Sequence, residues 1–175
     1  MATQSKDRRL FHSQDNKEIE YEELTSKQKK IIQKFLVETY GIDKRYLDNF
    51  VFLKRGKDVW ITTKTTKNIL KFSKNLKINS IGMRAIRNAF EIPKITTDFA
   101  IFLNDKITKN YYNLTKEELN KIIHGYDISI PKESFTNNYL ILKYNNEVFG
   151  VGLLSDTIIK NQIPKGRTLK NQTEE

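Results

Sequence analysis

Cysteine is missing from the 175 residues, and with it go disulfides, thiolate nucleophiles and cysteine-ligated zinc. Histidine is scarce: His12 and His124 are too few and too far apart in the chain to suggest a site, so no metal centre is expected. No apolar run approaches the length of a membrane span, and Met1 to Asn16 lack the apolar block of a secretory signal, so a cytoplasmic location is expected. The one Gly-x-Gly, Gly150 to Gly152, lies inside an apolar hairpin pattern instead of opening a helix. It is therefore no dinucleotide fingerprint, and no cofactor is expected. Such glycines mark either a close backbone approach or a bulge or bend in a barrel strand.

What the chain does have is positive charge. Thirty-one Lys and Arg against 21 Asp and Glu leave +10, with a pI near 9.6. A field of that sign draws polyanions by steering and counterion release, so nucleic acid is the first partner to consider. A lysine-rich surface also serves solubility alone, and the placement of the charges has to decide. With 38% hydrophobic residues the chain can bury one ordinary core or two small ones.

Residues 1–23 mix charged and polar residues without period, and predict a flexible N-terminal tail. From Ser26, the residues Ile31, Ile32, Phe35, Leu36 and Tyr40 recur at helical spacing, with Thr25 or Ser26 as N-cap and Gly41 as the stop. Phe50–Leu53 and Val59–Thr62, separated by a polar turn containing Gly56, predict a hairpin. Thr62 to Lys74 reads as a threonine-capped helix that puts Lys64, Lys67, Lys71 and Lys74 on one side, either as a face for an anionic partner or as a plainly solvated one. Ser80 to Phe90 fits a helix and a strand edge equally, and Phe99–Leu103 is a short buried strand or helical turn. Thr115 and Glu118 form the pattern of a capping box for a short helix ending at Gly125. Asn145-Asn146 then joins the Tyr139–Leu142 and Val148–Leu154 strands, since Asn tolerates the positive φ of tight hairpin turns. The order of elements predicts an α+β protein of two small units.

The short helix from Thr115 to Ile123, the turn His124-Gly125-Tyr126-Asp127 into Ile128-Ser129-Ile130, the hairpin with Gly150-Val151-Gly152, and a last strand after Gly166 together resemble a PUA domain, the small RNA-binding pseudo-barrel of many RNA-modifying enzymes. The resemblance covers about Ile107 to Asn171. Ser80-Ile81-Gly82-Met83-Arg84, Phe90-Glu91-Ile92-Pro93, Phe99-Ala100-Ile101-Phe102-Leu103, Lys160-Asn161 and Pro164-Lys165-Gly166 are similar to the non-catalytic C-terminal region of RNA 5-methylcytosine methyltransferases. The layout of a pre-PUA unit followed by PUA, without a catalytic domain, is also similar to the Nip-type ribosome biogenesis factors. The methyltransferase pattern has an aromatic between its glycines and a lysine after the second, where this chain has Val151 and Leu153. These resemblances imply an N-terminal pre-PUA α/β domain over residues 24–106 and a C-terminal PUA β pseudo-barrel over residues 107–172.

A 5-methylcytosine methyltransferase needs a nucleophilic cysteine and a glycine-rich turn for S-adenosylmethionine. The sequence has neither, so no enzyme activity is expected. The resemblance implies RNA contacts at Gly125 and its neighbours His124 and Tyr126, the two side chains touching either nucleotide or core, and Gly152 is a further candidate as backbone that approaches something closely. The basic stretch adds Lys160, Lys165, Gly166, Arg167 and Lys170, where four cations fall within eleven residues with no acid among them. Tyr111, Tyr112, Phe135, Tyr139 and Phe149 are stacking faces or, more simply, barrel core. The expected function is non-catalytic RNA binding, with rRNA as target in ribosome biogenesis or rRNA processing and modification. The competing readings are an RNA-targeting accessory subunit of a separate RNA methyltransferase, a structural ribosome-associated protein, and a winged-helix DNA-binding protein built on Ser26 to Asn49. An RNA-modifying enzyme using acids or a bound metal is the last.

Overall fold

A computed structural model describes residues 21–66, 68 and 80–169. Among the described residues two five-stranded sheets and four α-helices make an α+β fold. Helix α1 (Ser26–Tyr40) begins where expected: the Thr25 hydroxyl accepts from Gln28 N–H, the Gln28 side chain returns to the Thr25 N–H, and Gly41 closes the helix at φ 68°. The short helix α2 (Lys44–Leu47) is capped by Asp43. Strands β2 (Phe50–Arg55) and β3 (Asp58–Thr63) form the predicted hairpin around Gly56 at φ 60°.

Two expectations change in this half, and two open ones are resolved. Residues 21–23 are no tail: β1 (Glu22–Glu23) pairs with β2, placing Glu22 opposite Lys54, and the Tyr21 hydroxyl accepts from Ile81 N–H and Arg55. An opposite-charge pair and a satisfied hydroxyl hold this edge strand. Thr62 is no helix cap; it is buried in β3 opposite Val51, and the Thr63 hydroxyl takes the Thr66 N–H instead. Residues 67 and 69–74 of that predicted helix, with Lys67, Lys71 and Lys74, lie outside the described residues. Within Ser80 to Phe90, β4 (Met83–Arg87) is a strand that pairs with β3 and β5 (Lys94–Ile95). A strand there is what the DNA-reader alternative does not predict. The Phe99–Leu103 stretch is helical, as α3 (Thr97–Leu103), with Thr96 accepting from Phe99 N–H and donating to Arg84 O at 2.7 Å.

The second sheet contains β6 (Tyr111–Asn113), β7 (Ile128–Ser129), β8 (Tyr139–Tyr144), β9 (Glu147–Ser155) and β10 (Ile158–Asn161), in the order β6-β8-β9-β10-β7, with helix α4 (Lys116–Ile123) against it. Asn145 at φ 49° and Asn146 at φ 65° make the β8–β9 turn, the pair of positive angles that a two-residue hairpin of this type requires. Among the described residues the last strand is β10, before Pro164, and residues 167–169 do not form the strand expected after Gly166; Lys160 of the basic stretch is therefore part of the sheet.

Why β8 reads as one unbroken apolar run follows from what covers it. Leu140, Leu142, Ile159 and Ile128 face α4 and pack with Ile122 and Leu114. Ile141, Val151 and Val148 face the other way and join a core that includes Ile32, Leu36, Phe52, Ile86 and Phe99 of the N-terminal half. A sheet covered on both sides has no polar alternate positions. α3 lies across β9, the Tyr40 hydroxyl donates to Tyr139 O, and the Thr108 hydroxyl donates to Gly41 O. Lys143, only 7% exposed, donates to Ile107 O at 2.8 Å and Asn104 O at 3.3 Å and stands over the Tyr111 ring. Burial holds its pKa below the ordinary lysine value. Asn104, at φ 27°, accepts from Val148 N–H, so the junction is tied from both directions.

Candidate nucleic-acid interface

An α-helix ends with carbonyls that have no partner inside the helix. At the end of α4 these carbonyls draw in the segment after β10. Ile122 O accepts from Gly125 N–H at 3.0 Å and from Asn161 Nδ2 at 2.6 Å, and Ile123 O accepts from Leu169 N–H at 2.8 Å. Tyr126 O takes a second, longer bond from Asn161 Nδ2, and Asp127 Oδ1 accepts from the Asn161 N–H at 2.8 Å. Asn161 Oδ1 in turn accepts from Ile163 N–H. Gly125 sits at φ 90°, and a Cβ there would meet the Thr168 methyl at 3.5 Å. Thr168 closes the last turn by donating its hydroxyl to Lys165 O at 2.8 Å.

The consequence is a single rim. His124, Gly125 and Tyr126 on one side and Pro164, Lys165 and Gly166 on the other, far apart in sequence, are neighbours around one helix end. Gly125, Lys160, Lys165 and Gly166 are exposed and Tyr126 is 54% exposed, whereas His124 is half-buried with Nδ1 donating to Asn120 O at 2.7 Å. One exposed acid, Asp127, joins the rim, with its carboxylate engaged by the Asn161 amide. The Arg167 backbone forms part of a 3-10 turn, Lys165–Arg167, while Lys170 lies outside the described residues.

Gly152 does not belong to this surface. It is buried, and the side chain of Ile159 occupies the space that a Cβ would need; at Gly150 Ile163 Cγ1 does the same at 2.8 Å. The close approach that these glycines permit is internal packing. Gly166 differs: nothing lies within 4 Å of a Cβ built there. Lys64 lines a hollow with Glu23, Lys29 and Phe50 of the first half, away from the rim. Of the aromatics, Tyr111, Tyr112, Phe135 and Tyr139 pack partly buried against the two cores, and Phe149 is 37% exposed at the β8–β9 register shift beside Tyr144. The Tyr112 hydroxyl donates to Glu118 at 2.9 Å, and burial with that carboxylate pushes its pKa up to about 12. Among the described residues no three His, Asp or Glu side chains gather as a metal set, and no helix is long and apolar enough to cross a membrane.

Asn161 is the residue that sequence reasoning quoted without a role. The Lys160-Asn161 pair was visible, but the carbonyls that Asn161 serves belong to a helix more than thirty positions earlier.

Residues 109–169 match the family model of the methyltransferase RsmF PUA domain. No curated protein matches the chain. The matched stretch holds the second sheet, α4 and the whole described rim. Residues 109–169 therefore form a PUA-type domain like that of methyltransferase C-terminal regions.

Proposed function

We propose that this protein binds ribosomal RNA without catalysis of its own, in ribosome biogenesis or rRNA processing and modification, in the cytoplasm. Residues 24–106 serve as a pre-PUA unit that supports the PUA-type domain over residues 107–172. One observation carries the reading: the α4 turn and the Lys160 to Gly166 segment form one exposed, basic rim inside the stretch that matches a PUA domain. Gly166 supports it, because a glycine with open space around it and no internal packing demand leaves room for an outside backbone. Tyr126 presents an exposed ring at the same edge, and base stacking on such a ring is worth ~1 to 3 kcal/mol.

The test is fluorescence anisotropy with structured rRNA fragments over a salt series. If about four phosphates are neutralised, the slope of log affinity against log salt is roughly −3, at about 0.7 per contact for single strands. Replacing Lys165 and Arg167 with Ala should weaken binding and leave the thermal midpoint nearly unchanged; unchanged affinity removes the rim as the RNA site. A second reading, an RNA-targeting subunit that works with a separate RNA methyltransferase, is favoured by the RsmF match. Co-purification of a methyltransferase with the tagged protein from cell extract distinguishes it.

A further inference from the structure

Another set of cations lies where the two sheets meet. Arg87 of β4 and Lys94 of β5 are direct partners across their antiparallel pair, and like charges so placed repel. Lys94 is half-buried over the Tyr139 ring, 5.3 Å from its centroid, and donates to Gln162 Oε1 at 2.7 Å. Burial, followed by the Arg87 charge, holds its pKa below the ordinary lysine value. Among the described residues none of the carboxylates in ion pairs reaches Arg87, Lys94 or Lys160; the nearby Glu91 is engaged by Lys57 at 3.2 Å.

Register places Lys160 in the same row. Tyr139 is opposite Leu153, and Leu153 is opposite Lys160, so the three side chains leave the same face of the second sheet. With strands about 4.8 Å apart, Lys160 stands about 10 Å from Tyr139 along that row. Gln162, which holds the Lys94 ammonium, precedes Lys165 of the rim by three positions, a reach of at most about 10 Å. Arg87 and Lys94 are thus joined through Gln162 to the segment that carries Lys165, with Lys160 on the same face of the second sheet as Tyr139. Repelling and partly desolvated cations cost stability, and an anion lying along them removes that cost.

We propose that Arg87, Lys94 and Lys160 bind successive phosphates of an RNA strand, carrying its path from the PUA rim across the junction onto the N-terminal sheet. The proposal rests on the RNA-binding reading and assigns a role to the half that the family match does not cover. It is tested with the full chain and a short fluorescent single-stranded ribo-oligonucleotide of mixed sequence, titrated over a salt series. Arg87→Gln with Lys94→Gln should weaken binding and make the salt slope shallower by roughly 1.4, at about 0.7 per phosphate lost. The thermal midpoint of Arg87→Gln should equal or exceed that of the wild type, because it relieves repulsion, whereas Lys94→Gln also gives up the bond to Gln162 and should lower it. Arg87→Gln alone, at an exposed position, should remove about half of that slope change. Wild-type affinity and slope in these variants, with binding still weakened by Lys165→Ala and Arg167→Ala, overturns the junction path and leaves the rim reading standing. Failure of the wild type to bind any RNA overturns both.

Discussion

Replacing Asn161 with alanine tests the physical link between the helix end and the basic segment. The side chain donates to Ile122 O at 2.6 Å and accepts from Ile163 N–H at 2.9 Å, and its longer bond reaches Tyr126 O. Alanine removes both short bonds and leaves a carbonyl and an N–H that are partly shielded from water. At about 1 kcal/mol for each lost bond the cost is about 2 kcal/mol, which for a chain of this size lowers the thermal midpoint by about 4 to 8 °C. The charge of the protein does not change. Even so, RNA affinity should fall, because the segment that carries Lys165 is no longer held against the end of α4. Urea unfolding gives the energy, amide exchange at Ile163 and Leu169 reports loosening of the rim, and anisotropy gives the binding. Asn161→Asp keeps an acceptor for the Ile163 N–H but has no donor for Ile122 O, so it should lose the bond to the helix end alone. An alanine variant within ~0.5 kcal/mol of wild type, with unchanged RNA affinity, would refute the idea that this amide assembles the site.

Two further outcomes follow from the geometry. Lys143 is buried with a lowered pKa, so the unfolded chain keeps this proton to higher pH than the folded one; the wild type should therefore gain stability relative to Lys143→Met as pH rises through the interval just below the ordinary lysine pKa of about 10.4. Unfolding free energies of both proteins over an alkaline series would show it, and a flat or falling difference would contradict it. Gly56 and Gly82 both have positive φ, but a Cβ at Gly56 meets nothing whereas at Gly82 it collides with Ile61 O. Gly56→Ala should cost about 1 kcal/mol from backbone conformation alone, and Gly82→Ala clearly more; equal losses in urea unfolding would rule out the collision as the cause.

Local structure was legible in the residues. Thr25 and Thr115 capped their helices because a hydroxyl next to free N–H groups needs no distant partner, and Asn145-Asn146 turned the β8–β9 hairpin because the angles are a property of those residues. The apolar run at Leu140, Ile141 and Leu142 indicated a strand, and the fold alone showed that it is covered on both faces. Fixed by tertiary contact alone were the strand at Glu22–Glu23, which exists only because β2 offers an edge, and the strand within Ser80 to Phe90, whose period fits two conformations. Contact also decided the meaning of the glycines: Gly150 and Gly152 serve Ile163 and Ile159, while Gly166 faces open space, a difference that no spacing carries.

The amino-acid order alone determined the positive charge, the absence of cysteine chemistry, the caps, and the hairpin. Which cations stand together was settled by the fold. Arg87 and Lys94 become neighbours through strand pairing, and Gly125 meets the segment after β10 because unpaired carbonyls at the end of α4 must find donors. Charge is a property of each residue, but a binding surface is a property of distances, and those are set only when backbone and core contacts far apart in the chain are satisfied together.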